Sequence, residues 1–437
     1  MFTNVSTLRR MSINSRPNFY DVLISGGGMI GSSMALALGK SPLFTDRKIA
    51  LVEAGPKKVR KNDSEQYSNR VSAINPSSKR LFHELGVWKR FRRYQTVKDM
   101  RVWGSYTADT INYAQGSDSD DDIAYIIEND EIVDAVMEEL NGCSNVDVFY
   151  KSNLNKVDMG PKSVNVQINS EQSCECKLLI GADGANSQVR KIMDTNYLSY
   201  GYDQTAIVAT LNIMEKQNNT AWQRFLPTGP IALLPLNSTT CSLVWSTSHD
   251  EAKVLLSLTP HGFVDAINNA FNSKPVEDGT VTFLKNLLPS FSSHPKFLNE
   301  CPQVIREIES SRAAFPLGFG HATNYVKPNV ALIGDSAHRV HPLAGQGVNL
   351  GFRDVENLTK SLSQGLQSGR ELSEYAILKQ YEQLSQRANL PIMIAIDLIY
   401  RVYTSNIGLV RALGSLGIHL TETVAPIKMT MRQVASS

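Results

Sequence analysis

Tyr20-Asp21-Val22-Leu23-Ile24-Ser25-Gly26-Gly27-Gly28-Met29-Ile30-Gly31 is the stretch on which the reading of this chain turns. Its first six residues read as a short buried strand, and Ser32 to Gly39, rich in Ala, Leu and Met, reads as a helix. Between them lies G-x-G-x-x-G. In that order the three parts form a dinucleotide-binding arrangement. Gly26 permits the tight turn, Gly28 lets the backbone approach a pyrophosphate, and Gly31 lets helix and strand pack closely. The phosphate would sit at the helix N-terminus, where free N–H groups and the dipole favour an anion. A second apolar run, Ile49-Ala50-Leu51-Val52, ends at Glu53. An acid there accepts hydrogen bonds from adenosine ribose hydroxyls and repels a 2′-phosphate, so FAD or NAD is favoured over NADP.

A matching pattern occurs near the other end of the chain. Val330-Ala331-Leu332-Ile333 is an apolar strand ending in Gly334-Asp335, and Ser336 to Gly351 (SAHRVHPLAGQGVNLG) is a polar, Gly-rich loop. After Gly347 the apolar spacing turns helical, through Val355 and Leu358 to Leu362. NAD needs one such strand–loop–helix site, whereas the long FAD molecule can use two.

Composition narrows the classes. The 437 residues are 42% hydrophobic and 20% charged, which suits an ordinary globular protein of two or three lobes. There are 44 basic and 42 acidic residues, and residues 1–20 hold Arg9, Arg10 and Arg16 without an acid before Asp21. The remaining body is nearly neutral, with no electrostatic footprint for nucleic acid. Five scattered cysteines do not make a disulfide framework, and Cys174-Glu175-Cys176 is too tight for the usual zinc or redox spacing. His338 and His341 have no third ligand nearby, so no metal is expected. No G-x-S-x-G occurs. Residues 1–19, hydroxyl-rich with arginines and no acid, read as a mitochondrial transit peptide. No apolar run reaches the ~18–20 residues of a membrane span. Leu390 to Tyr400, interrupted by Asp397, reads as a buried helix, and Gly116 to Asp122 as a solvated acidic loop.

The Val330–Gly351 block resembles the second FAD fingerprint of the single-component aromatic hydroxylases, the para-hydroxybenzoate hydroxylase class. A third signature of that class is present as Leu179-Ile180-Gly181-Ala182-Asp183-Gly184-Ala185-Asn186-Ser187-Gln188-Val189-Arg190. Within the class the chain is most similar to the mitochondrial branch of the ubiquinone-biosynthesis monooxygenases, through Arg70-Val71-Ser72-Ala73-Ile74, Ala124-Tyr125-Ile126-Ile127-Glu128-Asn129 and Asn389-Leu390-Pro391. The resemblance implies FAD as cofactor. It implies that Asp335 bonds a ribityl hydroxyl, that backbone N–H groups near Gly347, Val348 and Asn349 face the N1–C2=O edge of the ring, and that Gly345 belongs to the same cofactor site. Pro342 would pass close to that ring. Arg70 would lie near the phosphates or ribityl chain, and Asp183-Gly184 near the pyrophosphate. The bland readings are that Arg70 is a surface ion pair and Asp183-Gly184 a strand cap.

The same resemblance implies the reaction: hydroxylation of a polyprenylated hydroxybenzoate-type ring, at C5, by O2 via a flavin C4a-hydroperoxide. It names no acid–base residue. Electrons would come from ferredoxin and its reductase or from NAD(P)H, with Lys89-Arg90-Phe91-Arg92-Arg93 as a candidate docking patch or merely a solvated face. The enzyme would sit peripherally on the matrix side of the inner membrane among other enzymes of the pathway, without nucleic acid. The alternatives are a flavoprotein oxidoreductase of this fold without oxygenation, and a non-catalytic FAD-binding scaffold.

The expected architecture is α/β. Residues 20–90, 120–195 and 325–385 build a Rossmann-like FAD domain with helices on both faces of its sheet. Residues 91–119 and 196–324 form a largely antiparallel substrate domain, and 386–437 a C-terminal helical region.

Overall fold

The computed structural model describes residues 18–414 apart from 58–66, 107–109, 115–121, 170–171, 215–217, 277, 281–300, 309–310, 406 and 411–413. The expected transit peptide lies outside the described residues up to position 17, as do nearly all of the acidic loop and the chain after 414.

Asn18–Ser25, two residues longer than the sequence suggests, is the middle strand of a mainly parallel sheet. It pairs with Gln172–Gly181 on one side and Ile49–Val52 on the other. Val330–Leu332 and Val146–Phe149 add the outer parallel strands. Val22, Leu23, Ile24, Ile49, Ala50 and Leu51 are wholly buried, because a parallel sheet covered on both faces needs continuous apolar runs. Met29–Lys40 packs on these strands between the helices Asn129–Leu140 and Gln346–Gln367.

The sheet is not purely parallel, and helices do not cover it alone. A hairpin, Leu154–Met159 and Val164–Ile168, joins Gln172–Gly181 antiparallel. Alternation in Val164, Val166 and Ile168 turns one face of this hairpin into the same core, a period-2 pattern that a helix cannot carry.

A second sheet takes strands from across residues 99–339. Its order is His338–Arg339, Ala313–Ala322, Tyr197–Ile213, Thr240–Ser248, Gly229–Pro235, Thr220–Leu226, Asp99–Gly104 and Thr110–Ala114, with Val304–Glu307 beside Tyr197–Ile213. All its pairs are antiparallel except Thr220–Leu226 with Asp99–Gly104. Ile207, Ala209, Leu211, Leu243 and Trp245 turn toward the helices His249–Ser257 and Pro260–Asn272. The residues between them, Val208, Val244 and Ser246, face a cavity on the opposite side.

Gln95–Val97 departs from the expected grouping of 91–119. It pairs with Ala124–Glu128, which also pairs with Val71–Ile74, in a small third sheet. The expected division at 385/386 falls inside one continuous helix, Tyr375–Tyr403, which carries Pro391 within it. Leu390 to Tyr400 is only half buried. Ile392, Met393 and Ile396 are covered, whereas Ile394 and Leu398 are each 55% exposed. Asp397 explains the interruption in that apolar run. It accepts hydrogen bonds from Tyr200 (2.6 Å) and Tyr202 (3.2 Å) and pairs with Arg401 (2.6 Å), tying the helix to the second sheet.

Candidate active site

A cavity of about 660 Å³ lies between the two sheets. Of the residues expected at the site, Gly28, Arg70, Asp335, Pro342, Gly345, Gly347 and Val348 line it, together with Gly184. Two helix N-termini meet there, and neither has a side-chain cap: Met29–Lys40 behind Gly28 and Gln346–Gln367 behind Gly345. Their first-turn N–H groups are therefore available to an anion or a developing negative charge.

The three glycines of the first loop have separate roles. Gly26 has φ +104°, and a Cβ there would sit 2.4 Å from the Ala182 carbonyl oxygen. A Cβ on Gly31 would sit 1.9 Å from the Gly26 carbonyl oxygen, so this position is closed by packing. A Cβ on Gly28 would meet nothing within 4 Å, because that position opens onto the cavity. Gly26 and Gly31 shape the turn without lining the cavity, and Gly28 gives a ligand its close approach.

Glu53 stands behind the loop. Its carboxylate accepts the N–H of Gly27 (2.6 Å) and of Gly55 (2.6 Å), which holds an acid at the end of the second strand. Asp335 follows the strand Val330–Leu332 in the turn Gly334–Ser336, where Gly334 has φ +60°. Asp335 lies deep in the molecule yet is open to the cavity, and burial raises its carboxyl pKa against the pull of His338 and Arg339.

The side chains of Asp183 and Asn349 are bonded within the protein. Asp183 accepts from the Ser187 hydroxyl (2.5 Å), the Ser336 hydroxyl (3.1 Å) and the N–H groups of Gln188 (2.7 Å) and Val189 (3.2 Å). It thus caps the helix Gln188–Met193, and only its neighbour Gly184 reaches the cavity. Asn349 donates to the Ala73 and Gly345 carbonyls and accepts from the Asn75 N–H and the Ser78 hydroxyl. Its side chain fixes the loop to the third sheet, whereas the role expected of this position belongs to its backbone N–H. Arg70 is exposed on the cavity rim and forms no ion pair with a described residue.

The two histidines hold the loop. His338 Nε2 lies 2.6 Å from Asp354, whose carboxylate also takes the Gly334 N–H and the Asn389 amide. Burial lowers the His338 pKa, but the charge and hydrogen bond of Asp354, with Asp335, leave it raised. His341 bonds Gln204 (3.0 Å) among Tyr202 and Tyr400, and burial lowers its pKa to about 4. No group of three metal-ligating side chains exists among the described residues.

The cavity wall opposite the helix N-termini was not legible in the sequence. It is formed by Val208, Ala221, Gln223, Pro230, Ala232 and Leu234 with neighbours on adjoining strands, set by which face of each strand turns inward. Alternation marked these segments as strands, but not which face meets a ligand.

Comparison with known proteins agrees with this geometry. A family model described as an FAD binding domain matches residues 19–281 and 303–389. The chain is 43% identical to the mitochondrial ubiquinone biosynthesis monooxygenase COQ6 of Homo sapiens over 98% of its own length and 95% of that protein's. It is 42% identical to the Drosophila melanogaster protein of the same name, covering 98% and 92%. The chain belongs to the ubiquinone-biosynthesis monooxygenase family. It is an FAD-dependent monooxygenase, which implies O2, a reduced electron donor and a phenolic substrate. The fold is shared with p-nitrophenol 4-monooxygenase PnpA of Pseudomonas putida, at TM-score 0.70 and 15% identity over 96% of this chain and 99% of that one. PqsL of Pseudomonas aeruginosa superposes at TM-score 0.69 and 20% identity, covering 92% and 99%.

The residues present fit the cofactor of this monooxygenase family. The open position at Gly28 gives room for close approach, the two uncapped helix N-termini offer N–H donors and Asp335 offers an acceptor, which suits a dinucleotide reaching across both loops.

Proposed function

We propose that this protein hydroxylates the aromatic ring of a polyprenylated hydroxybenzoate-type precursor of ubiquinone, at C5. The carrying observation is a cavity with two helix N-termini and Asp335 on one wall and a largely apolar sheet on the other. Bound FAD supplies the redox chemistry, accepting electrons from the donor and activating O2. The chain's own residues do the rest. Gly28 and the N–H groups of the following turn hold the pyrophosphate, Glu53 the ribose, and Arg70 the phosphates or ribityl chain. Asp335 bonds a ribityl hydroxyl. The N–H groups at Gly347 and Val348 would favour negative charge on the flavin, and Pro342 lines the same part of the cavity. Val208, Val244, Ala232 and Phe315 exclude water and keep the substrate ring flat against that face.

Electrons come from ferredoxin with its reductase or from NAD(P)H. The Lys89–Arg93 segment does not favour the first, since Arg90 pairs with Glu138 and Glu139 and Arg93 with Glu128. The protein acts in the mitochondrion, at the matrix side of the inner membrane and with other enzymes of the pathway. No helix among the described residues is long and apolar enough to cross a membrane. The exposed Ile394, Leu398, Ile407 and Leu409 supply apolar surface for a peripheral contact.

The test is the mass profile of prenylated ring intermediates in cells depleted of the protein. Accumulation of a prenylated 4-hydroxybenzoate derivative lacking one ring hydroxyl, with a fall in ubiquinone, supports the reading and identifies the position. Unchanged ubiquinone contradicts it. Loss of ubiquinone with Gly28→Val at unchanged protein abundance excludes a scaffold that binds FAD only for stability.

A further inference from the structure

The apolar wall of the cavity carries a long polar side chain in the middle of its sheet, away from Arg339 on the edge strand. Gln223 sits in the middle of Thr220–Leu226, paired with Ala232 on one side and Val102 on the other. Its neighbours along the strand point the other way. Trp222 packs toward the outer helices, and Arg224 donates to the Ala270 and Phe271 carbonyls at the end of Pro260–Asn272. Gln223 is therefore turned inward by strand alternation, beside Ala221, Leu234 and Val244. It is only 8% exposed, and its carboxamide opens onto the cavity without a hydrogen bond to a described residue. Buried amides are ordinarily satisfied, so a carboxamide facing a ligand cavity without a protein partner is placed to bond the ligand.

We infer that Gln223 positions the substrate by hydrogen-bonding the oxygen of its phenolic ring, which rests on the proposed function of this cavity. The carboxamide suits that role chemically. Its Oε1 accepts from a phenol hydroxyl and its Nε2 donates to a phenolate, so the contact survives ionisation of the ring. Elsewhere this sheet offers the cavity the short hydroxyl of Ser246 and, on its edge strand, Arg339, whose guanidinium donates to the Pro316 carbonyl (2.7 Å), while Arg70 and Asp335 lie outside the sheet. A polar anchor in the middle of an apolar wall fixes which ring edge turns toward the reacting oxygen.

The test compares wild-type holoenzyme with Gln223→Met, which keeps volume and removes both hydrogen-bonding atoms, and with Gln223→Glu, which restores an acceptor. Each is reduced anaerobically, mixed with 3-prenyl-4-hydroxybenzoate and exposed to O2 for a single turnover. The expected result for Gln223→Met is unchanged FAD content and unchanged reoxidation without substrate. Affinity for the probe, read from its perturbation of the flavin spectrum, should fall on the order of tenfold. Hydroxylated product per reduced flavin should fall as well, with H2O2 making up the difference, and Gln223→Glu should recover part of the yield. Wild-type affinity and yield in Gln223→Met would overturn the inference, as would loss of FAD from a folded variant, which would place Gln223 on the cofactor. A wild-type enzyme that neither binds nor hydroxylates the probe contradicts the proposed function itself.

Discussion

At the scale of single residues, Gly28 and Gly31 look alike in the motif but are held for different reasons. Gly28 has space in front of it, so Gly28→Ala should fold with a loss below ~1 kcal/mol, confined to the weaker helix cap, while FAD affinity drops. Gly31→Ala drives a methyl into the Gly26 carbonyl and should cost ~1–3 kcal/mol or more. Thermal unfolding of the two FAD-free variants separates these outcomes. His341 offers a second check. Its folded pKa, near 4, lies below the unfolded value, so stability it contributes is full above pH ~6.5 and is lost as pH falls toward 4. Linkage allows up to ~3 kcal/mol for such a shift. Between pH 7 and 5, His341→Gln should therefore lose less of its melting temperature than the wild type does; equal losses would dissociate His341 from the acid sensitivity.

At the scale of elements, the helix Tyr375–Tyr403 is the part that sequence patterning describes least well. Its apolar run reads as buried, yet Ile394 and Leu398 face outward. The reason is that Asp397, with Tyr200, Tyr202 and Arg401, sets the rotation of the helix against the second sheet. Those tyrosines lie some 200 residues earlier, beyond the reach of local periodicity. Asp397→Leu leaves two tyrosine hydroxyls without their acceptor and should destabilise the protein by ~1–3 kcal/mol. Amide exchange should quicken first in the C-terminal half of that helix, and uniform quickening would show that the contact is not local. The two Gly-rich loops, by contrast, were legible, because a strand, a special backbone turn and an uncapped helix start are all encoded within about twenty residues. Asp183 shows the limit of that reading. Its motif was visible, but its capping of Gln188–Met193 depends on Ser187 and Ser336 arriving together.

At the scale of the whole molecule, the α/β class followed from two strand–loop–helix motifs far apart in sequence, and FAD from the resemblance of the second to a known FAD fingerprint, in keeping with a long dinucleotide that can use both. The cavity wall did not follow, because nine strands gathered from residues 99–339 had to be ordered before inward and outward faces could be told apart. Binding a ligand between two sheets also couples them. Saturating FAD at 100 times its dissociation constant should add ~2.7 kcal/mol to the stability of the chain, read as a higher melting temperature than that of FAD-free protein. The central claim, that the cavity hydroxylates an aromatic ring with oxygen from O2, is tested most directly by isotope. Reduced holoenzyme is given 3-prenyl-4-hydroxybenzoate and 18O2 in a single turnover. The account predicts a ring-hydroxylated product carrying one 18O atom. Complete reoxidation to H2O2 with the ring unchanged, or a product whose new oxygen comes from water, would contradict it.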